Sequence, residues 1–433
     1  MAPKWDLVAD ALKKVDGEEV LLRGWVHWIH KLGKKMFIRV RDHTGIIQAV
    51  AEKASLSNEE WKAVKKLTRE SSIEIRGRVR SDPRAPGGKE VVATSVKVFG
   101  YSPPFPIWGR EDVDFLLDHR HLWLRSRRMT AIMKVRETIL SAMREWLKRE
   151  GWWEVHPPIL TASAVEGGAT LFEVKYFDKK AYLSQSAQLY LEALIFSLEK
   201  VWSLTPSFRA EKSRTRRHLA EYWHLELEGA WYSMEDMMEV AEELVAYAVR
   251  RAVEERREEL EFLGRDISKL EPAFETPYPR ITYDEAIEIL KRKGFPISWG
   301  DNLGADEERA LTEEFEKPFF ITHFPKKIKA FYMKEAPGRP EVVLGFDLLA
   351  PEGYGEIIGG SEREENIDRL LERIREEGYD PANYEWYLDL RRYGSVPHSG
   401  FGLGLERVVM WVTGIDHIRD TIPFPRFRGR IYP

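Results

Sequence analysis

From Val20 to Phe99, apolar and polar residues alternate over five short runs: Val20–His27, Lys35–Arg41, Ile46–Ala51, Ser72–Arg80 and Val91–Phe99. A period of two over six to nine residues predicts half-buried strands. Between the third and fourth runs the spacing becomes helical, from Asn58 to Thr68. Five strands with a helix before the fourth predict an OB-fold barrel, an architecture that often binds single-stranded nucleic acid. Alternation turns Met36, Ile38, Val40, Ile73, Ile75 and Val79 inward. Phe37, Arg39, Arg41, Arg76, Arg78 and Arg80 then face outward, an aromatic ring among arginines that suits stacked bases beside phosphates.

The Tyr101-Ser102-Pro103-Pro104-Phe105-Pro106 stretch cannot continue a strand, so a boundary is expected there. The expected layout is a barrel over 1–105, a hinge over 106–129 and a larger α+β domain over 130–433. That domain opens with a long helix from about Thr130 to Glu150. A second is predicted over about 234–263, with apolar positions at Met234, Met237, Met238, Ala241, Leu244, Val245, Ala248 and Val249.

At 433 residues and 43% hydrophobic content, the chain can bury two cores. It has no uncharged apolar run long enough for a membrane span and no apolar signal core at its start, so a cytoplasmic protein is expected. Without cysteine, disulfides and thiolate metal sites are excluded. Net charge is −4, unevenly spread. Residues 1–105 carry 20 Lys and Arg against 13 Asp and Glu, whereas the remainder carries 47 against 58. A basic small domain beside an acidic large one points to a polyanionic partner for the former.

Three strings carry the chemistry. Gly151-Trp152-Trp153-Glu154-Val155-His156-Pro157-Pro158-Ile159 follows the first long helix. Phe208-Arg209-Ala210-Glu211 is followed by Arg214, Arg216, Arg217, His218 and the run Glu221 to Glu228. Near the C-terminus stands Phe401-Gly402-Leu403-Gly404-Leu405-Glu406-Arg407. In the last, small residues let backbone approach a ligand, and a helix start then presents an arginine, an arrangement suited to phosphate. Asp347 and Glu356 flank a Gly/Pro turn between two strand-like stretches, where hard carboxylate oxygens on opposing strand ends suit Mg²⁺.

In order and spacing the three strings resemble the motifs of class II aminoacyl-tRNA synthetases, of the aspartyl/asparaginyl/lysyl subgroup. The finer resemblance, over nearly the whole chain, is to the archaeal-type asparaginyl-tRNA synthetase family. It implies a catalytic domain built on an antiparallel sheet flanked by helices, and a homodimer formed through the first motif. The implied substrates are ATP with Mg²⁺, L-asparagine and tRNA(Asn). By resemblance Arg209 binds the α-phosphate and stabilises the transition state, and Arg407 holds the γ-phosphate. Arg217 and His218 add phosphate contacts, Glu211 accepts from the adenine amine, and Tyr222 stacks on adenine. Phe37 and Gln48 match the residues that read the middle anticodon base, with Arg76 and Arg78 on the same outer surface.

For the amino acid, the resemblance assigns Ser186, Gln188 and Glu166 to the α-ammonium group and Arg363 to the side-chain oxygen. Ser361 and Glu364 are spaced as a capping box, which predicts a helix start that presents Arg363 in its first turn. Leu191 stands where aspartyl enzymes carry a lysine, and Glu226 replaces their shorter aspartate. A cation lost and an acceptor kept favour asparagine over aspartate. Two other readings stay open: a non-discriminating aspartyl-tRNA synthetase, and a catalytically inactive RNA-binding paralogue. A synthetase-derived asparagine synthetase is disfavoured, because relatives of that type lack the anticodon-binding domain.

Overall fold

Ile38, Ile47, Ile73, Ile75 and Val91 close a small apolar core at full burial, and five strands curl around it. They are β1 (Glu19–Leu32), β2 (Lys35–Arg41), β3 (Ile46–Glu52), β4 (Ser72–Ser81) and β5 (Lys89–Gly100), in a closed barrel of order β1-β2-β3-β5-β4. The computed structural model describes residues 4–162, 170–211 and 215–433. The helix before β4 spans Asn58–Val64, starts at a Ser57/Glu60 capping box and drives Trp61 and Val64 into the barrel core. It ends four residues before the expected Thr68, because the amides of Lys66 and Leu67 bond back only three residues and tighten the last turn.

The chain divides into two compact units, Met1–Leu117 and Asp118–Pro433, at a point within the expected hinge. In the second unit, β6 (Trp153–Glu154) is followed by a separate three-stranded sheet of β7 (Leu160–Thr161), β8 (Glu173–Tyr176) and β9 (Lys179–Leu183). Then come β10 (Lys200–Phe208), β11 (Glu221–Ala230), β12 (Arg280–Thr282), β13 (Phe319–Pro325), β14 (Glu335–Ala336), β15 (Arg339–Ala350), β16 (Gly355–Glu362) and β17 (His398–Gly404). The large sheet has the order β12-β13-β15-β16-β17-β11-β10-β6, with β14 paired to β15. From β13 to β10 every pairing is antiparallel; at the two edges β12 and β6 pair parallel, so the sheet is mixed rather than purely antiparallel.

Alternation along the central strands decides which face does what. Leu225 and Leu227 of β11, Phe401 and Leu403 of β17, and Phe346 and Leu348 of β15 share one buried cluster with three helices. These helices are Arg127–Arg149, Met234–Phe262 and Leu405–Thr413. The intervening residues face the other way and are polar or glycine. The first helix starts three residues before the expected Thr130 because Ser126 caps it through Met129 N–H at 3.2 Å. The second begins at the expected Met234, behind a Ser233/Asp236 capping box, and ends at Phe262, one residue before the expected end.

The expected capping box at Ser361 is not formed. Ser361 lies inside β16, paired to Gly345 on one side and Gly400 on the other, and two ladders of backbone bonds outweigh a local cap. The helix starts later, at Ile367, where Asn366 accepts from the amides of Asp368 and Arg369 at 3.0 and 3.1 Å. Arg363 therefore stands just beyond a strand end, its amide bonded to the His398 carbonyl at 2.9 Å.

Candidate active site and nucleic-acid interface

The floor of the cleft is one row of paired residues across four strands: Asp347 on β15, Gly359 on β16, Gly402 on β17 and Glu226 on β11. Carboxylates stand at its ends and glycines fill its middle. A side-chain carbon at Gly402 would land on the His224 ring, and one at Gly400 on the Glu228 carboxylate. Glycine is therefore required here by close approach, and it keeps the floor open. On β11, Tyr222, His224, Glu226 and Glu228 alternate towards the cleft side, opposite the buried leucines.

Two cavities adjoin over this floor. One is lined by Arg209, Glu211, Arg217, His218, Tyr222 and Arg407, with Gly404 behind them. The other is lined by Ser186, Gln188, Glu226, Lys329, Asp347 and Arg363. Arg209, His224, Glu356 and Gly402 line both. Arg209 leaves the end of β10, with its guanidinium 5.7 Å from the Tyr222 ring centroid. Arg407, in the first turn of the last long helix, donates from Nη1 to the carbonyl and Oε2 of Glu356 at 3.0 and 3.1 Å. Arg217 pairs with Glu308 at 2.8 Å, and the Glu356 amide donates to the same Glu308 carboxylate at 3.0 Å.

Burial works to raise the Glu356 carboxyl, but Arg407, Lys329 and Arg217 together overcome it and hold the group at about 2. Asp347 goes the other way. Burial, helped by the like charges of Glu356 and Glu308, pushes it up to about 6 even though Lys329 bonds both its oxygens at 2.9 and 2.8 Å. A side-chain carbon at Gly359 would lie 3.2 Å from Glu356 Oε1 and 3.5 Å from Asp347 Oδ1, so the two carboxylates converge over one point. Two hard oxygen donors converging on one point fit Mg²⁺.

In the second cavity Arg363 is 2% exposed. Its Nε and Nη2 grip Glu228 at 3.0 and 2.9 Å, and Nη1 donates to Ser361 Oγ at 2.7 Å. Among the described residues these bonds use three of its five N–H groups, leaving one on each terminal nitrogen for a ligand oxygen. Ser186 donates to Glu226, and Ala187 N–H donates to the other Glu226 oxygen at 2.7 Å. Gln188, the first residue of the helix Gln188–Leu198, also faces this cavity. Leu191 does not line it: it is fully buried in a small apolar cluster with Ala187, Ile195, Val201 and Ala230. Glu166 lies outside the described residues, as does Arg214.

Sequence reasoning missed Glu228, Lys329, Glu308 and His224. The first and last were findable, because period-two alternation places both on the Glu226 face of β11. Lys329 and Glu308 carry no local signal; only tertiary pairing places them.

On the barrel, Phe37 and Gln48 occupy neighbouring outward rows. Across β1, β2, β3, β5 and β4 one row runs His30, Phe37, Val50, Val92, Arg78, and the other runs Trp28, Arg39, Gln48, Glu90, Arg80. Gln48 donates from Nε2 to Glu90 at 2.9 Å, and Arg80 holds the other Glu90 oxygen. Arg76 pairs with Ser95 and Leu21, beyond these rows. The sequence did not single out Trp28, which is 42% exposed with Arg39 over its face at 4.9 Å and the His30 ring stacked 5.6 Å away. No helix among the described residues is long and apolar enough to cross a membrane.

Residues 112–428 match the family described as tRNA synthetases class II (D, K and N), and residues 20–99 match the OB-fold nucleic acid binding domain. The asparagine–tRNA ligase of Pyrococcus abyssi is 60% identical over 427 residues, covering 98% of each chain. That of Symbiobacterium thermophilum is 50% identical over 99% of this chain and all of its own. The crystal structure of asparaginyl-tRNA synthetase from Pyrococcus horikoshii complexed with asparaginyl-adenylate superposes with a TM-score of 0.97 at 58% identity, covering 99% of this chain and 100% of that one. An aspartyl-tRNA synthetase from Entamoeba histolytica shares the fold at 27% identity, with a TM-score of 0.86 over 99% and 93% of the two chains. The chain belongs to the class II tRNA synthetases and, within them, to the archaeal-type asparaginyl-tRNA synthetase family.

Proposed function

We propose that this chain activates L-asparagine with ATP and transfers it to tRNA(Asn). The observation that carries the reading is the pair of adjoining cavities with Arg209 on the wall they share. Asparagine in one cavity presents its carboxylate to the α-phosphorus of ATP in the other. The carboxylate attacks in line, pyrophosphate leaves, and asparaginyl-adenylate remains. The 3′-terminal ribose hydroxyl of the tRNA then attacks the acyl carbon and AMP departs. No covalent enzyme intermediate is needed, so the protein's contribution is positioning and neutralisation of phosphate charge.

Tyr222 and Glu211 receive adenine, Arg217, His218 and Arg407 the outer phosphates, and Arg209 the reacting one. Asp347 and Glu356 would hold Mg²⁺, which when bound neutralises phosphate charge and orients pyrophosphate for departure. Ser186 and Gln188, with Glu166, receive the α-ammonium group. The two remaining N–H groups of Arg363 take the side-chain carbonyl oxygen, and Glu226 accepts from the amide NH₂. An aspartate carboxylate would meet Glu226 with like charge, and Leu191 supplies no cation to offset it. The same reading has the protein act in the cytoplasm, where its tRNA would be charged. A homodimer is supported by edge strand β6, whose Trp153 is 59% exposed.

Charging of tRNA(Asn) with asparagine tests the whole reading; charging with aspartate instead would overturn it. Arg407→Ala is expected to raise the KM for ATP by about 10- to 100-fold, the loss of one charge-assisted phosphate contact. Undiminished exchange at limiting ATP would contradict the γ-phosphate assignment. Phe37→Ala removes one stacked base, worth about 1–3 kcal/mol, so the KM for tRNA should rise roughly 5- to 150-fold while adenylate formation stays intact. Equal losses in both steps would contradict the anticodon role.

A further inference from the structure

Beneath the amino-acid cavity lies a lattice of charged groups that the mechanism above does not use. Its hub is Glu192, 0% exposed. Its carboxylate accepts from Arg391 Nη2 at 2.8 Å and from the Tyr387 hydroxyl at 2.8 Å to each oxygen. His398 Nε2 stands 2.7 Å from Oε1, and the opposite ring nitrogen lies 2.7 Å from the Val396 carbonyl, which can only accept. On its other side Glu192 Oε2 accepts from Gln188 Nε2 at 3.2 Å. Burial works to raise this carboxyl, but Arg391, His398 and Arg363 together hold it below the usual range.

An ionised carboxylate has no proton to give, so the end of the Gln188 amide that faces it must be the NH₂. The amide oxygen is then turned to the cavity side. That is the orientation an α-ammonium group needs, since ammonium can only donate. We propose that Glu192 is a positioning residue for asparagine: it fixes the Gln188 amide so that its oxygen, and not its NH₂, meets the substrate's α-ammonium group. The inference rests on the assignment of Gln188 to that group.

The Glu192→Gln variant tests it sharply. The introduced amide must offer its oxygen to Arg391, whose guanidinium can only donate, and this turns its own NH₂ towards Gln188. Gln188 then flips to accept, and presents a donor to the ammonium group. In ATP–pyrophosphate exchange the KM for asparagine is expected to rise at least tenfold, the size of one lost charge-assisted hydrogen bond, while the KM for ATP stays within about twofold. Tyr387→Phe removes one hydroxyl from Glu192 without disturbing its charge, and should raise the asparagine KM by about threefold. It decides the matter if Glu192→Gln does not fold. Gln188→Ala is the reference. If it leaves the asparagine KM unchanged, the Gln188 assignment fails and the proposal with it. If it raises that KM while the Glu192 and Tyr387 variants do not, only the proposal is overturned. Equal rises in both KM values would mark Glu192 as a general structural element and also overturn it.

Discussion

Replacing Arg209 with alanine lowers asparagine-dependent ATP–pyrophosphate exchange at saturating substrates by on the order of 10³-fold, with little change in melting temperature. Phosphoryl chemistry of this kind is accelerated almost entirely by positioned charge, and a single preorganised cation at the reacting phosphate contributes about 10³-fold or more. Arg209 stands on the wall shared by the two cavities, where charge develops as the carboxylate attacks. Lysine should restore little, because a point charge does not reproduce the planar fork. The measurement is kcat for exchange; a value within tenfold of the unmodified protein contradicts the assignment of Arg209 to the reacting phosphate.

The second large effect is at Arg363. Arg363→Ala leaves Glu228 buried without its bidentate partner, and breaking such a pair costs about 3–5 kcal/mol of stability. Asparagine also loses the donors for its side-chain oxygen, so exchange should fall below about one hundredth. The two losses separate in a double variant, Arg363→Met with Glu228→Leu, which replaces the ion pair by apolar groups of similar volume. The melting temperature is expected to recover in large part, while exchange stays lost. Recovery of exchange together with stability would show that Arg363 acts through the fold alone.

Much of this was legible because the central strands obey period two. Leucine and phenylalanine face the helices, acids and glycines face the cleft, and the sequence carries both halves of the pattern. The start of the helix Met234–Phe262 was readable and its end fell within a residue, because Ser233 caps it and one apolar stripe sustains it. β1 was read five residues short at its C-terminal end, since a bulge between Val26 and Trp28 shifts the alternation while Trp28 to Leu32 still pair with β2. Ser361 offered a cap that strand pairing on both sides overrode. Glu192 sits one helical turn from Gln188, but its other partners, Tyr387, Arg391 and His398, lie about 200 residues away, and no local pattern foretells them. Leu191 shows the opposite case: the residue type was noted from the sequence, whereas its burial away from the cavity lining depends on packing.

The most direct test of the central claim is ATP–pyrophosphate exchange by the purified protein, with asparagine and aspartate compared side by side. The account predicts exchange with asparagine and at most a trace with aspartate, because Glu226 and the two remaining donors of Arg363 are matched to an amide. Comparable exchange with aspartate would contradict the pocket as described. No exchange with either amino acid, in folded protein, would contradict the activation chemistry itself.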